Sequence, residues 1–208
     1  MMELDPASPA YLYRLLAHTI FVEGVDEDTD LGMLGFEAVW IQGTDVATLA
    51  AELELDMDTR LPCHLSEILD HHIDDGSRWV AEAGGWICVV PAPFEGDEFM
   101  KHVTAGGRQA ISLGMDIGNH EYVKYARDGR LITAFEPASP SHAYGDDPRA
   151  LDHLMEGLRF EVNVEGDRET WVEMDESISS ALQLIARLTG TDMAADWFEA
   201  RHSRMRDR

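Results

Sequence analysis

Lysine is scarce in this sequence: only Lys101 and Lys124 occur among 16 basic residues, which face 40 acidic ones and leave a formal net charge of -24. Contacts to phosphate groups need lysine and arginine, so this balance argues against binding to nucleic acid or to anionic lipid. Three explanations of the acidity stay open at this point: a function, the codon usage of a GC-rich genome, and adaptation to salt.

Cysteine is equally scarce. Cys63 and Cys88 are the only two, and no Cys-x-x-Cys pair is present. We therefore expect reduced, packed thiols rather than a disulfide, a redox motif or a zinc site.

Long apolar runs are absent as well, and residues 1–10 lack the basic start of a signal peptide. A membrane span requires roughly 18 apolar residues. The sequence therefore predicts no contact with a membrane and a cytoplasmic location.

What is present fits a globular protein, because 45% of the 208 residues are hydrophobic and a chain of this length can bury about 70% of its unfolded surface. We expect one α+β domain over residues 1–208. Its centre should be a mainly antiparallel sheet, a meander of about five or six strands, packed by N- and C-terminal helices. Helices within residues 175–203 should belong to the same core.

Hydrophobic periodicity and turn residues place the elements. The stretch 56–77 is the least regular and could hold a short helix. Strands are predicted at residues 36–41, 78–83, 86–90, 111–117, 121–126 and 131–135, with a weak hairpin at 160–164 and 170–173. Helices are predicted from Ser8 up to Gly24, after a Thr44 cap, at 97–104, at 149–158, from Asp175 to a Gly190 C-cap, and from Asp192 onward.

One segment suggests a metal site. Asp70, His71 and His72, followed by Asp74, resemble the triplet of the phosphoesterases named for an Asp-His-His motif. Carboxylate and imidazole groups suit zinc or manganese. However, the upstream aspartates of that family are missing. The alternative is an exposed loop or helix end, whose side chains meet only water.

A second segment has the spacing of calcium ligands. Asp26, Asp28 and Asp30 alternate, and Glu37 stands eleven residues after Asp26, as in an EF-hand loop. The glycine of that motif is misplaced, because Leu31 occupies its position, and the residues after Glu37 are typical of a strand. The alternative is a solvated acidic loop.

No motif for nucleophilic catalysis is present. The sequence lacks a Gly-x-Ser-x-Gly elbow and a glycine-rich phosphate loop, and Ser141-His142 and Cys63-His64 are merely adjacent in sequence. We therefore assign no catalytic residue and no cofactor.

Four short segments together carry a resemblance: Trp40-Ile41-Gln42-Gly43, Gly84-Gly85-Trp86, Asp128-Gly129 and Leu188-Thr189-Gly190. They resemble a family of high-GC bacteria that is described only as a domain of unknown function. The resemblance implies no activity and no catalytic residues. Members look like small α+β proteins met in bacterial conflict and immunity settings.

These observations favour a non-enzymatic acidic module that binds a protein partner with a basic surface, such as an immunity or inhibitor protein. One alternative is a metal-dependent hydrolase that uses Asp70, His71 and His72. Another is an accessory protein of a biosynthetic or signalling complex. The sequence does not indicate an oligomeric state.

Overall fold

An eight-stranded antiparallel sheet forms the centre of the protein in a computed structural model, which describes residues 4–20, 36–68, 75–93, 96–115, 120–160 and 172–208. The strands are β1 Phe36–Gln42, β2 Leu55–Cys63, β3 Arg78–Ala83, β4 Trp86–Val90, β5 Gln109–Met115, β6 Glu121–Arg127, β7 Arg130–Phe135 and β8 His202–Asp207. Their order across the sheet is β2-β8-β3-β4-β1-β5-β6-β7.

The α-helices with bounds within these residues are α1 Tyr11–Ile20, α2 Val46–Glu52, α3 Gly96–Val103, α4 Asp152–Met155, α5 Met174–Thr189 and α6 Ala195–Glu199. Residues 65–68 are helical as well, and Pro140–His142 form a 3-10 turn. Helices α1, α5 and α6 cover one face of the sheet and enclose its larger core. Helices α2 and α3 cover the other face. The backbone N–H of Tyr13 donates to Ser179 Oγ at 2.9 Å, which joins α1 to α5. N- and C-terminal helices therefore pack against the sheet, as predicted.

The predicted meander is confirmed. Strands β5, β6 and β7 pair consecutively and antiparallel. The β3–β4 hairpin has the predicted bounds, and its turn consists of Gly84 and Gly85, with φ of 59° and 80°. Positive φ at both central residues is what a tight hairpin turn demands, and glycine adopts it without steric cost.

The predicted number of strands is wrong, because the sheet has eight rather than five or six. Strand β2 lies in the stretch that was predicted to be irregular. Only its ends, Leu55 and Cys63, are buried, and Pro62 stands near its end. Such a strand shows no apolar alternation, and charges and proline are typical of the edge position that β2 occupies.

Strand β8 is the other addition. A helix is predicted from Asp192 onward, yet residues 202–207 form a strand that pairs with both β2 and β3. Arg204 and Met205 are buried, while the residues around them are polar. Long-range pairing therefore decides this element, because local sequence gives little signal for it.

Helix bounds differ at three places. Helix α6 begins at Ala195, not at Asp192, and the stretch 149–158 contains only the single turn of α4. Asp45 rather than Thr44 caps α2, because its carboxylate accepts the Thr48 N–H at 2.9 Å. Gly190 ends α5 in the left-handed conformation with φ of 67°, as predicted. The weak hairpin predicted around residues 160–173 lies mostly outside the described residues.

Both cysteines are buried free thiols, as expected. Burial raises the pKa of Cys63 to about 11, with a further contribution from the charge of Glu67, and burial raises the pKa of Cys88 as well. Since the thiolate is the nucleophile, these side chains are chemically inert near neutral pH. No helix in the described part of the chain has the length and apolarity needed to cross a membrane.

Candidate functional site

Most residues of the two predicted metal sites lie outside the described ranges. This applies to Asp70, His71, His72 and Asp74, and to Asp26, Asp28 and Asp30. Glu37 is described and lies on β1, so a strand follows it where an EF-hand requires a helix. Among the described residues, no group of three or more metal-ligating side chains is close enough to hold an ion.

Glu37 belongs instead to a row of residues on the sheet face that carries α2 and α3. Backbone register places it beside Gly114 of β5, and places Gly114 beside Tyr122 of β6. A methyl group at position 114 would overlap the Tyr122 ring. Glycine therefore lets Tyr122 lie across the sheet and donate its hydroxyl hydrogen to Glu37 Oε1.

Lys124 stands next to this row on the same face of β6, because side chains two residues apart on a strand share a face. Its Nζ lies 2.8 Å from Asp97 Oδ1 at the start of α3. The same nitrogen lies 4.9 Å from the centre of the Tyr122 ring. We refer to Glu37, Asp97, Tyr122 and Lys124 as the Glu37 cluster.

The Glu37 cluster contains a carboxyl group that titrates near neutrality. Burial raises the pKa of Glu37 from 4.5 to about 7, and the positive charge of Lys124 opposes this rise only in part. Burial disfavours the charged form of any carboxylic acid. Strongly perturbed carboxyl groups are concentrated at functional sites, although structural clusters produce them too.

A cleft of about 430 Å³ opens beside the Glu37 cluster, and we call it the tyrosine cleft. Its floor is Ala134 of β7, which exchanges two backbone hydrogen bonds, of 2.8 and 2.9 Å, with Tyr144. Residues from β6, from the end of β7 and from the following loop line the cleft around this floor: Tyr122, Lys124, Phe135, Glu136, His142 and Tyr144. The Phe135 ring itself lies in the core on the other face of the sheet, against Phe160.

Gly145 positions the loop that forms one wall of the tyrosine cleft. Its φ is 126°, and a Cβ atom there would collide with the carbonyl oxygen of Ile132. The loop consequently runs against the outer side of β7, where Asp146 and Asp147 donate backbone N–H groups to Leu131 and Ile132 at 3.2 and 2.9 Å. Tyr144 is left 51% exposed.

Sequence reasoning missed this site. Glu37 was singled out only as a calcium ligand, and Tyr122, Lys124 and Tyr144 were not singled out. A signal does exist on β6, where Tyr122 and Lys124 alternate with the buried Val123 and Tyr125. That alternation predicts a solvated face, whereas α3 covers part of it in the structure.

Many basic side chains of this protein form ion pairs with its own carboxylates. Within the described residues, ten basic side chains lie within 4.0 Å of a carboxylate of the same chain, as in Arg108–Glu52 at 2.6 Å and Arg159–Glu176 at 2.9 Å. Each such pair offsets one positive charge. The acidic excess therefore remains on the protein surface.

Part of this excess lies near Tyr144 in the sequence. Five exposed carboxylates follow β7 in sequence, and two of them pair with Arg130 and Arg149. The acidic loop surface, as we call it, consists of Tyr144 with Glu136, Asp146, Asp147, Asp152 and Glu156. Leu61 on β2, 53% exposed, is the other large apolar side chain that the described residues expose, and it lies at the opposite edge of the sheet.

Two further cavities lie elsewhere on the described surface. One, of about 600 Å³, is formed by the loop after β7 and by α4, and much of its lining is apolar, including Phe135, Leu151 and Phe160. The other, of about 480 Å³, lies beside Arg60, Leu61 and Arg201 near the β2 edge. The second of these cavities includes His202, whose pKa is lowered by burial, whereas the tyrosine cleft adjoins the half-buried carboxyl group of Glu37.

The fold and the site define an α+β protein with an open antiparallel sheet and a polar cleft at one end of that sheet. A family model covers residues 66–204, and the chain belongs to that family, which is described as a family of unknown function, DUF6461. Searches of curated proteins and of solved structures found no match. Three of the four segments that carried the resemblance fall within the matched residues, whereas Trp40–Gly43 precedes them.

Proposed function

We propose that this chain is a non-enzymatic acidic module, acting in the cytoplasm, that binds a protein partner through a basic surface of that partner. An immunity or inhibitor protein would act in this way. The observation that carries the proposal is that many basic side chains are held in ion pairs within the chain, while the segment of sequence around the exposed Tyr144 carries exposed carboxylates.

Electrostatics supports a binding role of this kind. A net charge of -24 accelerates the encounter with a positive partner and disfavours negative ones. Affinity needs an apolar anchor as well, because exposed charge pairs add little. Tyrosine is among the residues that most often supply such an anchor. Tyr144 within the acidic loop surface meets both requirements.

Affinity capture with the purified chain tests the proposal. Partners bound from native lysate at low salt should be basic, and most should be released at about 0.5 M salt, where the screening length is roughly 4 Å. A variant with Asp146→Asn, Asp147→Asn and Glu156→Gln should capture less. A control with Glu54→Gln, Asp58→Asn and Glu82→Gln removes the same charge near the opposite edge and should capture normally. Acidic or neutral partners that resist salt would contradict the proposal.

The metal-dependent hydrolase is a separate prediction, and no described residue bears on it. Its test is metal content: the purified chain should contain less than one zinc or manganese ion, and replacing His71 and His72 by Ala should change stability by no more than about 1 kcal/mol, as for exposed positions. One tightly held ion per chain that is lost in the double variant would favour the hydrolase.

A further inference from the structure

The tyrosine cleft has the features of a site for an organic cation. The rings of Tyr122 and Tyr144 and the carboxylate of Glu136 line its space of about 430 Å³. Aromatic faces attract cations through the ring quadrupole, and arginine also stacks its planar guanidinium on them. The volume lies within the range of pockets that take small ligands.

Lys124 is the cation within the lining, and its charge is already offset. Its Nζ contacts Asp97 at 2.8 Å, and it is largely covered, with its side chain 14% exposed. The same Nζ lies 4.9 Å from the Tyr122 ring centre, so that ring already accommodates a positive charge. A second cation entering from the mouth of the cleft meets Glu136 and the ring of Tyr144.

The acidic loop surface contributes at longer range. Its carboxylates follow the same loop that forms one wall of the tyrosine cleft, and Tyr144 belongs to both. Carboxylates around a cleft raise the local concentration of cations and disfavour anions. Charge complementarity and aromatic geometry therefore select the same class of ligand.

We propose that the tyrosine cleft receives an arginine side chain of the basic protein partner, with its guanidinium between the Tyr144 ring and the Glu136 carboxylate. This inference rests on the proposed function, and it adds where the partner inserts and with which residue. It makes Tyr144 and Glu136 specificity-determining residues of the contact.

Short peptides test the insertion without any partner. The probes are N-acetylated, C-amidated pentapeptides Gly-Gly-Xaa-Gly-Gly, in which Xaa is Arg, Lys, Leu or Glu. Binding is followed by NMR through the aromatic signals of the full chain at 0.15 M salt. The arginine peptide should shift the signals of Tyr122 and Tyr144, whereas the leucine and glutamate peptides should not. A lysine peptide that binds as tightly as the arginine peptide would overturn the choice of arginine.

Matched variants locate the binding. Tyr144→Ala should weaken the arginine peptide by about three- to fivefold, the range expected for a cation–aromatic contact near a surface, and Tyr144→Phe should retain most of the affinity. Because Tyr144→Phe keeps the ring, it separates loss of the cation–aromatic contact from disruption of the loop structure. Leu61→Ala, at the other sheet edge, should have no effect. Glu136→Gln should weaken binding more than Glu156→Gln. Equal effects of these two variants would show that binding depends only on the overall negative charge of the protein, and would overturn the proposed site.

The two proposals fail in different ways. If the arginine peptide binds in the cleft but captured partners are acidic and insensitive to salt, the proposed function fails alone. If basic partners are captured and released by salt while Tyr144→Ala and Glu136→Gln capture them normally, the arginine site fails alone.

Discussion

The carboxyl group of Glu37 ties protonation to folding. Its pKa in the folded protein, about 7, exceeds its usual 4.5, because burial disfavours the charged form. The protonated group is therefore the better tolerated one in the fold. Its contribution to stability is complete below about pH 4.5 and is lost as the pH rises through 7. Asp45 and Asp75 act in the opposite direction, because hydrogen bonds involving Thr48 and Ser77 lower their pKa values.

Replacing Glu37 by Gln should remove the part of the pH dependence of stability that comes from this carboxyl group. Glutamine has the shape of the protonated acid and can accept the Tyr122 hydroxyl hydrogen, so the variant and the parent should be about equally stable at pH 4.5. At pH 8 the variant should be more stable by about 1 to 2 kcal/mol, a value reduced for the partial exposure of the group. Urea unfolding across this pH range measures the difference.

Exposed Glu136 provides the control for that experiment. The Glu136→Gln variant should show the same pH dependence as the parent. A Glu37→Gln variant whose stability follows the parent at every pH would place the pKa of Glu37 near its ordinary value.

Gly114 is the second residue whose chemistry sets the local structure. Alanine at this position must displace the Tyr122 ring, and overpacking of this kind typically costs about 1 to 3 kcal/mol. Replacing Tyr122 by Ala as well should recover part of that loss, because the obstructing ring is gone. A double-mutant cycle by thermal or urea unfolding measures this coupling. Additive effects of the two changes would show that residue 114 has room for a methyl group.

At the scale of elements, the sequence predicts those with a strong local pattern. The β3–β4 hairpin and the β5–β6–β7 meander combine apolar alternation with glycine turns, and the structure confirms them. Helix α5 has an apolar stripe and a glycine C-cap, and it is confirmed as well. In each case the residues that form the element also carry the signal for it.

Strands β2 and β8 lack such a signal. Strand β2 carries Asp56, Asp58 and Arg60 along its middle, and β8 carries Arg204 and Arg206. Pairing with residues far away in the sequence stabilises both strands, so the local sequence pattern does not predict them. The Glu37 cluster was missed for the same reason, because only sheet register brings Glu37 beside Gly114 and Tyr122.

A substitution at Met205 tests whether residues 202–207 form a strand within the sheet. It is fully buried in the core on the α2–α3 side, so Met205→Ala should destabilise the fold by about 2 to 5 kcal/mol. The exposed neighbour Arg201 is the control, and Arg201→Ala should change stability by less than about 0.5 kcal/mol. Denaturant unfolding compares the two variants. Equal, small effects would mean that residues 202–207 do not pair within the sheet.

For the molecule as a whole, the net charge opposes compactness. Like charges repel one another more strongly in the folded chain than in the expanded one, and salt screens that repulsion. At pH 7 we expect sodium chloride to raise stability by about 1 kcal/mol between 0.05 and 0.5 M, which corresponds to a melting temperature about 2 to 4 °C higher.

The same experiment at pH 4.5, near the sequence pI of about 4.5, is the control, since little net charge remains to be screened there. Salt should then leave the melting temperature nearly unchanged. A salt effect of equal size at both pH values would attribute it to hydrophobic salting-out instead of charge.

Insertion of β8 between β2 and β3 has a consequence for synthesis on the ribosome. Strands β2 and β3 emerge well before β8, yet neither pairs with the other in the finished sheet. Until residues 202–207 have left the ribosome, one side of β3 presents unpaired backbone groups, which invite pairing with other chains. The nascent chain therefore completes this part of its sheet only after residues 202–207 have been made, and chaperone binding would protect the unpaired side of β3 during that interval.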